Sequence, residues 1–398
     1  MKRPVLLSAL LALLLLIWGG LRLQDRQWRR WLATASREEL TAYVAAHPDQ
    51  HDALLRLGVL QRHAGENAEA EKRLRHAVEV APDDETGWVE FSRALTDDHE
   101  AIRVLEEALK TKESSAPMMA ELARHYLQSG DVVDARTWAE KATQQQPASP
   151  DAWRIRGDVM AATHQAPEAE KDYRKALALR DDPETRLALA RTLIPLQRYA
   201  EILALCAPIV RAGDSPEISQ EQRARALLYT AGGRLYDPLT PAEIAALQAQ
   251  LQEADSLSAQ LTPNERFLPP YFLGESYLRL GKPKEAIPLL ERSATMAPMF
   301  AGSLYSLARA YRLAGEQAKA DATVRRHTRL SRILGEIEMY NNRLEQKPGD
   351  AETMLRLADV LTEADDTADA AQIYRHLIAQ GKLVARAQHK LQALPAPH

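Results

Sequence analysis

The feature that most narrows what this chain can fold into is a repeat with a period of 34 residues. His47-Pro48-Asp49 and Ala81-Pro82-Asp83 close two similar segments at that spacing, with Leu54, Leu57, Gly58, Ala70, Leu74 and Ala77 between them. Mid-repeat alanines fall at Ala70, Ala101, Ala135 and Ala169, in steps of 31, 34 and 34, then at Ala286, Ala320 and Ala370, in steps of 34 and 50. Such a period marks one supersecondary unit used repeatedly, each copy unable to bury its apolar face alone. Small residues are needed where the two helices of a hairpin cross closely, and large ones fill the space between successive hairpins. A proline after the second helix stops it, because proline lacks the amide donor. The step of 31 reads as a repeat short of three residues near Asp97, Asp98 and His99. The step of 50 reads as one repeat plus an extra helix from Ser331 to Gln346.

The same frame recurs in Met119, Leu122, Ala123, Tyr126, Gly130, Ala135, Ala139 and Pro147, and again in Trp153, Gly157, Met160, Ala169, Tyr173 and Ala176. It returns in Leu273, Gly274, Tyr277, Gly281, Ala286, Leu290 and Pro298, in Leu304, Leu307, Ala308, Tyr311, Gly315 and Ala320, and finally in Met354, Leu357, Ala358, Leu361, Ala370 and Tyr374. On these residues about three quarters of the chain resembles the tetratricopeptide repeat. The resemblance implies an all-α, right-handed solenoid of helical hairpins whose concave groove binds a protein or peptide.

Composition agrees with helices. Only 17 Gly and 6% aromatic residues accompany 45% hydrophobic and 27% charged ones, which also excludes wholesale disorder. The single Cys206 rules out an internal disulfide and a cysteine metal cluster. Net charge is −4, and six of the cations lie in residues 1–30 beside one Asp, so the remainder is acidic and no nucleic-acid partner is expected.

The 18 uncharged residues Pro4–Leu21, enough to span about 27 Å as a helix, predict an N-terminal transmembrane signal anchor. A cleaved signal peptide is the competing reading, but Trp18 stands where cleavage after Gly20 needs a small residue. Arg22, Arg26, Arg29 and Arg30, interleaved with Trp28 and Trp31, read as an interfacial collar. The expectation is a single-pass protein of the cell (inner) membrane, with the charge count leaning the soluble part toward the cytoplasmic face. The organisation predicted is an anchor and basic segment at 1–35, a first repeat block at 36–214, an irregular helical hairpin at 215–265 and a second block at 266–398. Within the irregular hairpin, Thr240-Pro241-Ala242-Glu243 is a capping box.

No HExxH, GxGxxG, P-loop, GxSxG or kinase motif occurs, so neither catalysis, a cofactor, a metal nor a small-molecule substrate is expected. His47 and His51 have a ligand-like spacing, but Pro48 interrupts the helix between them. The acid pairs Asp83-Asp84, Asp97-Asp98, Asp181-Asp182 and Asp365-Asp366 fall where carboxylates cap helices.

The remaining candidate is the groove. In the family, motif positions 2, 5, 6, 9, 12 and 13 line it, and position 9 here is Val59, Arg93, Arg124, Asp158, Arg191, Glu275, Arg309 and Asp359. Arg93, Arg124, Arg191 and Arg309 suit an acidic partner, since a guanidinium fork grips carboxylates. Two readings stay open: a stripe that binds anions, or arginines paired internally with Glu121, Asp158, Glu275 and Asp359. Reversal of Arg93 and Arg124 to Glu is expected to spare folding. Tyr271, Phe272 and Tyr305 are the apolar inner-face candidates, and the Lys and Asn pair of the family's carboxylate clamp occurs in no repeat. The leading function is a membrane-anchored interaction scaffold, with an accessory factor for envelope, secretion or cytochrome-maturation assembly as the alternative.

Overall fold

The structure, a computed structural model, describes residues 26–394 apart from Asp214, Pro216, Glu217 and Tyr236, and leaves the Glu345 side chain out. Among the described residues it is all helical, with no strand. Two compact units divide at Leu196 and Gln197, inside the repeat expected at 183–214. The reason is local: Gln197 takes a left-handed φ of 55° at the turn, Ile202 replaces the mid-repeat alanine, and Pro208 lies within the following helix.

In the first unit, residues 26–34 (α1) and Arg37–Ala46 (α2) precede hairpins formed by α3 (His51–His63) with α4 (Asn67–Val80), and α5 (Glu85–Ala94) with α6 (Asp98–Thr111). Next come α7 (Ala116–Gln128) with α8 (Val132–Gln145), then α9 (Pro150–Ala162) with α10 (Ala166–Leu179), and α11 (Pro183–Leu193). Each first helix after α3 begins on a side-chain cap: Asp84 accepts from Gly87, Ser115 from Met118, Ser149 from Ala152 and Asp182 from Thr185. Trp88 donates to the Pro82 carbonyl and Trp153 to the Pro147 carbonyl, both at 2.8 Å. That bond ties the large residue of one repeat to the proline ending the one before.

The second unit runs α12 (Tyr199–Ala212), α13 (Gln220–Arg234), α14 (Pro241–Ser256), a 3-10 turn at Ser258–Gln260, α15 (Leu268–Arg279), α16 (Pro283–Met296) and α17 (Ala301–Leu313). It continues with α18 (Gln317–Gln346), α19 (Ala351–Glu363), α20 (Thr367–Ala379) and α21 (Val384–Gln392). The capping box of Thr240 and Glu243 starts α14. The extra helix expected at Ser331–Gln346 is not a separate element. It prolongs α18 into one rod of 30 residues, since nothing in Ser331-Arg332-Ile333-Leu334-Gly335 removes a backbone donor.

Close crossings hold both units together. A Cβ on Gly157 would lie 2.7 Å from the Tyr173 ring, and one on Gly274 would lie 2.6 Å from Leu290, so each glycine admits a large side chain from the paired helix. Tyr173 and Leu290 are completely buried as a result.

The expected membrane placement is corrected. Among the described residues no helix is long and apolar enough to cross a membrane. Pro4–Leu21 and Arg22, on which that expectation drew, lie outside the described residues. Trp28 and Trp31 stack on each other at 5.1 Å and pack on Tyr43 at 5.2 and 4.9 Å. Trp28 also donates to Asp52 at 3.0 Å, so both rings belong to the packing of the first hairpins, while Arg26, Arg29 and Arg30 point outward.

Candidate functional site

The first helices α3, α5 and α7 of the N-terminal unit stack side by side, and a ladder of charges runs across them. Arg62 on α3 donates to Glu90 on α5 at 3.0 Å. Arg93, one turn on from Glu90, donates to it at 2.8 Å and to Glu121 on α7 at 3.0 Å. Arg124 closes on the other Glu121 oxygen through Nε at 2.7 Å and also reaches Gln128. Only 3% of the Glu121 side chain is exposed. Burial pushes its carboxyl up, yet the Arg93 and Arg124 guanidiniums overcome this and hold it below the usual carboxylate range.

Beside the ladder, His125 is buried. Its Nε2 faces an Arg124 nitrogen at 2.9 Å, which can only donate, so Nε2 accepts and Nδ1 carries the proton toward Asp98 at 2.7 Å. Burial and then Arg124 hold its pKa down, against the pull of Asp98. His63 is lowered too, first by partial burial, then by Arg62, with Arg56 and Arg93 adding to it against Glu90. Arg56 and Arg62 each keep a buried Nε with no hydrogen-bond partner.

The four expected groove arginines have different surroundings. Arg93 and Arg124 share Glu121. Arg191 is exposed on α11 and acts on Asp158 electrostatically. Arg309 lies in the second unit, 3.7 Å from Glu275. The acids at the same motif position have structural partners: Asp158 accepts from Tyr173 and Asp359 from Tyr374, both at 2.8 Å. Arg154 pairs with Asp158 as well, at 3.0 Å. Burial nevertheless pushes the Asp158 carboxyl up.

The aromatic candidates also separate. Tyr271 meets the Phe300 ring edge-on at 5.1 Å, and Phe272 packs into the space left by Gly232, where a Cβ would come within 2.8 Å of its ring. Tyr305 alone of the three stands out, 61% exposed, with His327 beside it at 5.9 Å. Arg56, Arg62 and His63 were not among the residues singled out from sequence, although they occupy positions 6, 12 and 13 of their repeat. A tally of every inner position would have found them.

Among the described residues no group of His, Cys, Asp and Glu is placed to hold a metal ion. Sequence profiles of the tetratricopeptide repeat match residues 26–85, 99–159, 271–332 and 352–380, more than half of the chain. The chain belongs to the tetratricopeptide-repeat family.

Other comparisons bear on the fold of this tetratricopeptide-repeat protein. No curated protein sequence matches it significantly. Among solved structures it is similar to a chain of the APC/C hetero-tetramer Cut9-Hcn1, at 14% identity and a TM-score of 0.56, over 81% of this chain and 58% of that one. It thus spans little more than half of that relative's length. It is also similar to a thermophilic TPR protein of Thermus thermophilus, at 22% identity, a TM-score of 0.40 and coverage of 45% and 98%. YrrB, a TPR protein with an unusual peptide-binding site, matches at 15% identity, a TM-score of 0.39 and coverage of 52% and 98%. At 14% identity the first of these speaks to the fold alone.

Proposed function

We propose that the chain is a protein-interaction scaffold whose N-terminal unit takes an acidic segment of a partner on the face formed by α3, α5 and α7. The observation that carries this reading is the set of arginines at the inner positions of α3, α5 and α7. Arg56, Arg62, Arg93 and Arg124 stand there against the carboxylates Glu90 and Glu121. Partner carboxylates would exchange with the more exposed arms of the ladder, adding charge-assisted, bidentate contacts at fixed spacing. Repetition of stacked first helices suits an extended ligand better than a compact one. Arg191, further along on α11, would extend the same preference, while the second unit's Arg309 and exposed Tyr305 offer a separate and less basic face.

The ladder changes which variants test this. Arg93→Glu would place a carboxylate against buried Glu121, so reversal there unfolds the site instead of sparing it. Arg56→Glu is the cleaner probe, because Glu121 is held by Arg93 and Arg124 and not by Arg56. A fluorescein-labelled peptide rich in Glu and Leu should bind the full chain, weaken steeply with added salt, and lose about tenfold in affinity on Arg56→Glu, mainly through a slower association rate. Equal binding of a Lys-rich peptide, or no response to Arg56→Glu and salt together, would overturn the reading.

A further inference from the structure

A carboxylate held by two arginines needs no third partner, yet Glu121 has one within reach. His125 follows one turn later on α7, its side chain 2% exposed, with Nε2 3.7 Å from the Glu121 oxygen that Arg124 holds. Its Nε2 accepts from Arg124 at 2.9 Å and its Nδ1 donates to Asp98 on α6 at 2.7 Å. Arg124 therefore divides its donors among the Glu121 carboxylate, the His125 ring and the Gln128 side chain. The other Glu121 oxygen belongs to Arg93 of α5 at 3.0 Å. The charged groups around the imidazole are thus Asp98 from α6, Glu121 and Arg124 from α7, and Arg93 of α5 behind Glu121. The remaining helices packed on α7, namely α8 and α9, make no hydrogen bond or ion pair with it among the described residues.

A proton taken from water onto Nε2 upsets this arrangement. Nε2 then has no lone pair, and two cationic donors face each other at hydrogen-bond distance. Asp98 holds the ring through Nδ1, so the freer partner is Arg124, about a quarter exposed, with Gln128 one turn further out to receive it. Once the guanidinium withdraws, Nε2–H closes the 3.7 Å gap to Glu121, which keeps two counter-charges, Arg93 on one oxygen and the imidazolium on the other. The buried carboxylate is never left unpaired, the state that costs most. Burial and then Arg124 hold the pKa of His125 below its ordinary value, and moving Arg124 away removes the second of these causes.

We propose that His125 is an acid-triggered switch for the inner face, which rests on the binding of an acidic segment there: its protonation transfers Glu121 from Arg124 to the imidazolium and frees the Arg124 guanidinium for a carboxylate of the partner. The coupling is reciprocal. A partner carboxylate that draws Arg124 away makes His125 easier to protonate, so binding takes up a proton. His63 also sits against a ladder arginine, 3.1 Å from Arg62, so its charge has to be separated from that of His125.

The test uses the full chain and a fluorescein-labelled peptide rich in Asp and Leu, whose carboxylates stay ionised at about pH 5. At constant ionic strength its affinity should rise about fivefold between pH 7.5 and pH 5.0. His63→Gln should keep most of that rise. His125→Gln, which removes the trigger, and Arg124→Gln, which removes the released group, should each be nearly flat. Binding that is flat in the native chain, or that rises equally in His125→Gln, would overturn the switch and leave the inner-face reading standing. Loss of helical circular dichroism at pH 5.0 in place of a change in affinity would overturn it as well. Absence of binding at every pH would overturn the inner-face reading, and the exchange of partners on Glu121 is then decided in the free protein by nuclear magnetic resonance of the isotope-labelled chain. Faster exchange of the Arg124 Nε–H with water as the His125 ring titrates is the expected result; an Arg124 signal indifferent to that titration would contradict it.

Discussion

The two units share a repeat skeleton but differ in how deeply the charges between neighbouring hairpins are buried. In the N-terminal unit, adjoining first helices are linked by ion pairs that close on a buried carboxylate, Glu121. In the C-terminal unit the ion pairs between elements, such as Arg292 with Asp255, Arg332 with Glu363 and Lys390 with Asp359, close on more exposed carboxylates, and aromatic and hydroxyl contacts stand beside them: Phe267 and Tyr271 on Phe300, Ser293 with Ser303 at 2.7 Å, and Gln248 donating to Ser276 at 2.9 Å. Its position-9 pair, Arg309 with Glu275, is stretched to 3.7 Å. A repeat motif thus specifies the hairpin crossing and leaves the contact between hairpins open. Where that contact is charged it can serve recognition as well as stability.

The largest effect should come from stripping Glu121 of its counter-charges. Arg93→Met with Arg124→Met leaves a buried carboxylate unpaired, which costs about 3–5 kcal/mol. Arg309→Met removes one long, half-exposed pair and should cost under about 1 kcal/mol. Thermal unfolding read by hydrogen exchange should show loss of protection over α5 to α8 in the first variant and almost none in the second. Similar losses in both would erase the contrast between the units.

Gly157→Leu and Gly274→Leu test what the units have in common. Each overfills a crossing against Tyr173 or Leu290, at about 1–3 kcal/mol, and the two costs should match within about 1 kcal/mol. Exchange should rise in the altered hairpin and its neighbours only, because each hairpin relies on adjacent ones.

Acidification should act on the N-terminal unit first. Its His125 is buried and held below the ordinary value of 6.5, whereas no histidine of the C-terminal unit is buried among the described residues. As pH falls below 6.5 the unfolded chain gains a proton that the folded one refuses. Stability therefore declines until the folded state protonates as well, with a slope of at most about 1.4 kcal/mol per pH unit. Glu121, also lowered, adds a decline in the same direction below the carboxylate range. His125→Gln should flatten the slope between pH 6.5 and 5.5; an unchanged slope would remove His125 from the account. The smallest effect belongs to His164, which turns the α9–α10 hairpin at a φ of 57°. His164→Gly should gain under about 1 kcal/mol.

The hairpins were legible from sequence because the crossing requires fixed residue sizes: Gly157 implies a large neighbour one helix on, and Tyr173 supplies it. The shortened repeat was legible as a step of 31, and the missing residues fall in α5, which has 10 residues where α7 has 13. The ladder was half legible. Pairing of Arg93 and Arg124 with Glu121 stood as one of two open readings, while Arg62 and Glu90, which extend the ladder to α3, sit at other motif positions and meet only because α3 stacks on α5. The collar of Trp28 and Trp31 misled because tryptophans beside arginines fit a membrane boundary and a helical packing contact equally well. Tyr43, the ring that decides between them here, lies in the next helix.

Hydrogen exchange of the full chain with and without the Glu- and Leu-rich peptide tests the central claim most directly. Slowed exchange across α3, α5 and α7, with the C-terminal unit unchanged, is the predicted result. Protection confined to α15, α17 and α19, or spread evenly over both units, would contradict it.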